Sequence, residues 1–365
     1  VKSRRSDAFE RGAGGAPIRD RIYVTDCEGP LTRNDNAQEI AERFIPDGAE
    51  FFARVSRYDD LLADVLRKPG YNAGDTLRLV PPFFKAYYVT DEDVELFSAE
   101  QVLQVPQALK ALGAITALMP AYIISTSYTP YLRALCDLAD FPMEHVRCTD
   151  LSLDAWDMPE SEAAWLRSAA GMVLARPVIE IPDGASSVAD LSPQDQATVA
   201  ELDELFWGHM DGRVSGEMVA AVKPVGGGQK LAALEEIVAA EGVEGGGVMY
   251  VGDSITDAPP LEAVKAWGGA SLSFNGNGYA IAAAEFAAAS PDAEVQALLA
   301  QAFAEGGRDA VEAAVRAWPK PKKGTTPRGK SRATVGLVAE EREKLAEASA
   351  AARLSVRGER VARLG

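Results

Sequence analysis

The sequence has no apolar run long enough to cross a bilayer, which argues against a helical membrane protein and a membrane partner. Cysteine is scarce: Cys27, Cys136 and Cys148 stand far apart, with no Cys-x-x-Cys pair. That argues against a disulfide scaffold and leads us to expect reduced thiols in a cytoplasm. Histidine occurs twice, as His145 and His209. Two histidines leave little room for a histidine-based zinc site or a Ser-His-Asp device, and both are expected to be structural or exposed. Positive charge is also in deficit, with 37 Lys and Arg against 54 Asp and Glu and a net charge of −17. Such a field disfavours nucleic acid and anionic membranes. It does not forbid a small anionic substrate, because a local cation can dominate a site. The start of the chain is polar and glycine-rich, and without an apolar segment behind it no secretory signal is expected.

What is present is ordinary for a globular protein: 47% apolar and 25% charged residues over 365 positions, enough for a core and a subsidiary domain. Three apolar runs end abruptly in chemistry. Residues 22–24 lead into Asp26 and Glu28, and Gly29-Pro30 then turns the chain. Residues 121–124 lead into Ser125, Thr126 and Ser127. Residues 247–251 lead into Asp253, with Asp257 beyond. Each reads as a buried strand delivering polar groups to its carboxyl edge, where open α/β sheets bind ligands. Lysines 223 and 230 both precede the third run. Lys230 opens a helix after the Gly226-Gly-Gly228 loop, so its ammonium can reach back to the strand edge, whereas Lys223, followed by Pro224, reads as a surface charge or strand end. This set suits phosphoryl transfer. A carboxylate can attack phosphorus, two carboxylates can hold Mg²⁺, a second acid can move the proton, and a lysine can neutralise the phosphoryl oxygens.

These residues carry a family resemblance. Asp26-Cys-Glu-Gly-Pro-Leu-Thr32 resembles motif I of the haloacid dehalogenase (HAD) superfamily, and Ile124-Ser-Thr-Ser-Tyr128 resembles motif II. Lys230 fits motif III, and Gly252-Asp-Ser-Ile-Thr-Asp257 resembles motif IV. The likeness spans about residues 21–290 and is greatest to the phosphoserine-phosphatase branch, which has Ser-x-x-aromatic at motif II and a helical cap between motifs I and II. The resemblance implies Mg²⁺ as cofactor, Asp26 as nucleophile and metal ligand, and Glu28 as general acid/base. Glu28 would also ligate metal through its main-chain carbonyl. Asp253 would ligate the metal and Asp257 would support its shell. Ser125 would bind the phosphoryl group, with Thr126 or Ser127 as alternatives, and Lys230 would neutralise it. Two positions depart from the motif. Glu28 replaces the usual Asp with one more methylene and the same proton chemistry, and Pro30 replaces the usual Thr and alters the turn.

The function implied is a Mg²⁺-dependent phosphomonoester hydrolase acting through an aspartyl-phosphate on a small phosphorylated metabolite. Capture of the same intermediate by an alcohol, a phosphotransferase, is the near alternative. A different alternative is a non-catalytic, regulatory subunit of a larger complex, with a protein partner docked through the C-terminal tail. The longer string over residues 25–36 also resembles a HAD group, some of whose methanogen members are labelled energy-converting hydrogenase A subunit R, which implies a complex subunit.

The architecture expected is α/β: a HAD-type Rossmannoid doubly wound parallel sheet with a helical cap inserted after the first strand. Residues 1–20 read as a disordered leader, 21–33 and 113–305 as the core, about 150–222 as a partly helical insertion, 34–112 as the cap and 306–365 as a tail. In the tail, a basic Pro/Gly linker over residues 319–332 precedes a last helix over about 338–353, whose thin apolar stripe implies a marginal helix or one that needs a partner. Asn36 is an expected N-cap, Ser98 another, and Asp211-Gly212 a hairpin turn. A strand is expected over residues 145–153, alanine-rich helices over 279–316, and a plain turn at Asn275-Gly-Asn-Gly278. Phe83, Phe84, Tyr87 and Tyr88 are expected in the cap core, and Cys27 is expected to be buried and inert.

Overall fold

The computed structural model describes residues 18–319 and 332–362. Residues 1–17 of the expected leader and most of the basic linker lie outside them. Among the described residues seven strands form one sheet: β1 (Ile22–Thr25), β2 (Ala121–Tyr128), β3 (Val146–Thr149), β4 (Val248–Gly252), β5 (Ala270–Phe274), β6 (Phe286–Ala289) and β7 (Thr334–Leu337). Their order is β3-β2-β1-β4-β5-β6-β7. β1 pairs in parallel with both β2 and β4, β4 with β5, and β5 with β6, while β7 closes the edge antiparallel to β6. This is the α/β architecture expected, a mostly parallel sheet wound outward on both sides of β1, and the helical insertion follows the first strand.

Every residue of β1 and β4 is buried. Strands covered on both faces read as unbroken apolar runs rather than alternating ones, which is why these two were legible. The strand order reverses beside β1: the chain runs outward through β2 and β3, then returns to β4 on the other side. Beyond the carboxyl ends of β1 and β4 the connections diverge, and such a switch point is where open α/β sheets bind ligands. The register pairs Thr25 with Val251, and the Asp26 N–H donates to the Val251 carbonyl at 2.9 Å. Asp26 and Asp253 therefore leave adjacent strands at the same edge.

The chain divides into two compact units, residues 1–33, 104–124 and 231–358 in the first and 34–103, 125–230 and 359–365 in the second. This division differs from the expected one in three ways. Residues 104–112 group with the core rather than with the cap. Residues 306–319 and 332–358 group with the first unit, where the expected division set 306–365 apart. The two expected insertions form one unit with one apolar core, in which Phe51, Phe83, Leu166 and Phe206 are all buried. Periodicity within each insertion cannot reveal that the two share a core, because the pairing is set by residues about 100 positions apart.

Several local expectations are corrected. The residues of β6, Phe-Ala-Ala-Ala, sit where alanine-rich helix was expected. Alanine favours helix, but the slot between β5 and β7 overrides that preference. β7 was not foreseen, being only four residues of weak pattern. The expected strand over 145–153 is confined to Val146–Thr149. Asp211-Gly212 links a π-helical turn (Glu204–His209) to a helix (Val214–Ala221), not two strands. Asp35, not Asn36, caps the helix Asn36–Phe44, its carboxylate accepting from the Gln38 N–H. Ser98 lies buried inside the helix Asp91–Gln101, whose cap is Thr90 in a reciprocal box with Asp93. Phe83 and Phe84 are fully buried in the second unit, but Tyr88 is 65% exposed.

Candidate active site

After β1 the chain folds back on itself in one tight loop. The Leu31 and Thr32 N–H groups donate to the Cys27 carbonyl, and the Gly29 N–H donates to the Thr32 carbonyl at 2.7 Å. Gln296 on the helix Glu294–Arg316 fastens this loop, donating to the Pro30 carbonyl at 2.9 Å while accepting from the Tyr23 hydroxyl at 2.9 Å. Gly29 is required here. Its φ is +103°, and a β-carbon would lie 2.3 Å from Cγ of Asp253. The missing side chain is what lets the loop after β1 close against the Asp253 carboxylate.

Asp26, Asp253 and Asp257 are all buried, and each offers a carboxylate oxygen within 4.8 Å of the others. At an effective dielectric of ~20, like charges at such separations repel by about 3 kcal/mol per pair. A cluster of this kind is made tolerable by cations. The donors are hard oxygens without cysteine or histidine, a set that suits Mg²⁺ rather than zinc. The Cys27 N–H donates to Oδ1 of Asp26 at 2.6 Å, which fixes the orientation of that carboxylate. Cys27 itself is fully buried, as expected.

Asp257 is held differently. Its Oδ2 accepts from the N–H of Asp253 at 2.9 Å and of Ser254 at 3.1 Å, and its Oδ1 accepts from the Tyr250 hydroxyl at 2.9 Å. It thus caps its own turn and shapes the loop that carries Asp253. Gly252 permits this, since a β-carbon there would lie 2.4 Å from Cβ of Asp257. Burial, followed by the charges of Asp257 and Asp26, pushes the Tyr250 phenol well above its usual range, so it stays a neutral donor. Glu28 is half-buried and is not one of the three clustered carboxylates. That suits a proton carrier whose expected metal contact runs through its main-chain carbonyl.

Ser125, Thr126 and Lys230 belong to the second unit. Ser125 is buried and its Oγ accepts from the Ser127 N–H at 3.2 Å. The Thr126 hydroxyl donates to the Val225 carbonyl at 3.1 Å, a bond that ties β2 to the chain ahead of the glycine loop. Lys230 is fully buried, whereas Lys223 donates to the Ala220 carbonyl at 2.6 Å at the surface. An ammonium is buried only with compensating partners, so Lys230, unlike Lys223, sits where its charge has to be matched.

The sequence reading missed two residues altogether. Arg353 and Arg357 project from the last helix (Val338–Ala362) onto Asp253. Nη1 of Arg353 pairs with Oδ2 of Asp253 and lies 3.3 Å from the Asp253 carbonyl, and Nη1 of Arg357 reaches the same Oδ2 at 3.0 Å. Burial pulls the Arg353 guanidinium below its usual range, and Asp253 opposes that shift. A signal existed in the sequence: Leu345, Ser349, Arg353 and Arg357 recur every four residues, one stripe along a helix.

No family model matches the chain, and no curated protein matches it. Remote likenesses among solved structures include two with names that describe an enzyme. A phosphoserine phosphatase in apo form shares 12% identity at a TM-score of 0.40, over 73% of this chain and 91% of that one. A HAD family hydrolase from Salmonella enterica subsp. enterica serovar Typhi shares 11% at a TM-score of 0.40, over 72% and 64%. Both are too distant to bear on function. A gene product from Archaeoglobus fulgidus is similar over almost its whole length, with 28% identity and a TM-score of 0.79, covering 95% of this chain and 99% of that one.

Proposed function

We propose that this protein is a Mg²⁺-dependent phosphomonoester hydrolase acting through an aspartyl-phosphate on a small phosphorylated metabolite. The observation that carries the proposal is the buried trio Asp26, Asp253 and Asp257, gathered at the carboxyl ends of β1 and β4 where the strand order reverses. Asp26 and Asp253 would hold the cation with the Glu28 main-chain carbonyl, and Asp257 would keep the Asp253 loop in place. The cation would supply charge to the phosphoryl oxygens as the bond to the leaving group breaks.

The chain's own residues would do the rest. The Asp26 carboxylate, oriented by the Cys27 N–H, attacks phosphorus and forms an acyl phosphate while the bond to the leaving oxygen breaks. Glu28, protonated at first, gives its proton to that oxygen. As a carboxylate it then takes a proton from water, which attacks phosphorus and releases phosphate and free Asp26. The motif resemblance gives Ser125 the role of holding the phosphoryl group and Lys230 that of neutralising it, and both roles are part of the proposal. Thr126, whose hydroxyl is already spent on Val225, is the weaker candidate for phosphoryl binding.

The test is a phosphatase screen over a metabolite panel in the presence and absence of Mg²⁺, with Asp26→Asn as blank. Phosphate release should need Mg²⁺ and should fall by at least about 10³-fold in the variant, with an unchanged circular dichroism spectrum. A variant as active as the wild type would sink the nucleophile role.

A further inference from the structure

The last helix carries a contact that the proposed chemistry does not use. Its buried residues are Val338, Leu345, Ser349 and Arg353, the last three at every fourth position, with Arg357 following at the same spacing. Val338 and Leu345 of this helix join an apolar cluster with Ile281 and Ala287, and Ala346 packs against it. One turn further the stripe becomes polar, and then it ends in two guanidinium groups. The Arg353 and Arg357 side chains are 5% and 6% exposed, and both point at the same oxygen of Asp253. Nε of Arg357 also approaches the Arg33 carbonyl at 3.4 Å, just beyond the motif I loop. Past these arginines Gly358, at φ +81°, breaks the helix. The distal half of the helix is thus seated by charge more than by apolar burial, the kind of segment that opens locally.

A carboxylate oxygen that receives two guanidinium groups is a poorer ligand for a divalent cation, since like charges crowd the same acid. We infer that Arg353 and Arg357 compete with the divalent cation for Asp253, so that metal loading and docking of the last helix oppose each other. The inference rests on the metal-site reading above. Its consequence follows from linkage: whatever the docked helix takes from metal affinity, bound metal takes from helix docking. The helix acts as an internal cation that neutralises the acids until Mg²⁺ replaces it.

The experiment uses the full chain. Mg²⁺ binding is measured by calorimetry for wild type, Arg353→Gln/Arg357→Gln and the charge-retaining Arg353→Lys/Arg357→Lys. Hydrogen exchange of residues 345–358 is followed in wild type with and without saturating Mg²⁺. The glutamine pair should bind Mg²⁺ about tenfold more tightly or better, and the lysine pair should stay near wild type. Exchange over residues 345–358 should speed up when Mg²⁺ is added. If the glutamine pair fails to fold, the exchange measurement on wild type decides alone. Metal binding that is unchanged or weaker in the folded glutamine pair overturns the inference, as does slower exchange with Mg²⁺. Unchanged metal affinity with weakened binding of inorganic phosphate also overturns it, because the arginines would then serve the anion. If neither wild type nor variant binds Mg²⁺, the metal-site reading itself fails and this inference falls with it.

Discussion

Gly29 shows how much of the site depends on an atom that is absent. Its backbone lies in the left-handed region at φ +103°, and any β-carbon would collide with the Asp253 carboxyl group. Gly29→Ala should therefore cost about 2–3 kcal/mol of stability in urea unfolding and also weaken Mg²⁺ binding. A neutral substitution would show that the loop does not need to close on Asp253. Asp59 in the second unit is a different case. It is buried, its Oδ2 accepts from the Gly74 N–H at 3.0 Å, and burial, reinforced by the charge of Asp60, pushes its carboxyl from 3.8 up to about 8. The folded state therefore keeps a proton that the unfolded chain releases above pH ~4. This group's contribution to stability falls as pH rises from ~4 towards ~8, the opposite of a salt-bridged carboxylate. Asp59→Asn should be more stable than wild type near pH 8 and gain little near pH 4. Equal gains at both pH values would show that Asp59 does not titrate in this window.

At the scale of elements, capping chemistry could be read locally, but sheet membership could not. The helix Asp91–Gln101 starts where Thr90 and Asp93 cap each other, a pattern present in the sequence and overlooked in favour of Ser98. Thr90→Ala should lower the unfolding free energy by about 1 kcal/mol, whereas Ser98 makes no cap for the substitution to break. Strands β1, β2 and β4 were visible because both of their faces are covered and their apolar runs end in polar residues. β6 and β7 were not visible. Four residues of Phe-Ala-Ala-Ala or Thr-Val-Gly-Leu become strand only when neighbours on each side supply hydrogen bonds. The last helix lies between these cases. Its thin stripe read as a marginal helix or one that needs a partner, and the arginines on that stripe went unread.

For the whole molecule, the net charge of −17 and the burial of three clustered carboxylates make divalent cations the natural stabilising ligand. Mg²⁺ that binds the folded state alone should raise stability by about 2.7 kcal/mol at a hundred times its dissociation constant. A thermal melt with Mg²⁺ and with chelator should show that shift in wild type and lose most of it in Asp253→Asn. An equal shift in both would place the metal elsewhere. Among the described residues no helix is long and apolar enough to cross a membrane.

The sequence by itself singled out the candidate polar groups and the strand ends that three of them follow. Asp26, Ser125 and Asp253 follow the ends of apolar runs and Lys230 stands near the start of a helix, and such local patterns are written in consecutive residues. Only the tertiary structure decided what meets what. It joined two insertions into one core, turned an expected tail into a sheet edge and a docked helix, and brought Arg353 to Asp253 across 100 positions. Those outcomes depend on long-range burial and charge pairing, and no window of neighbouring residues records either.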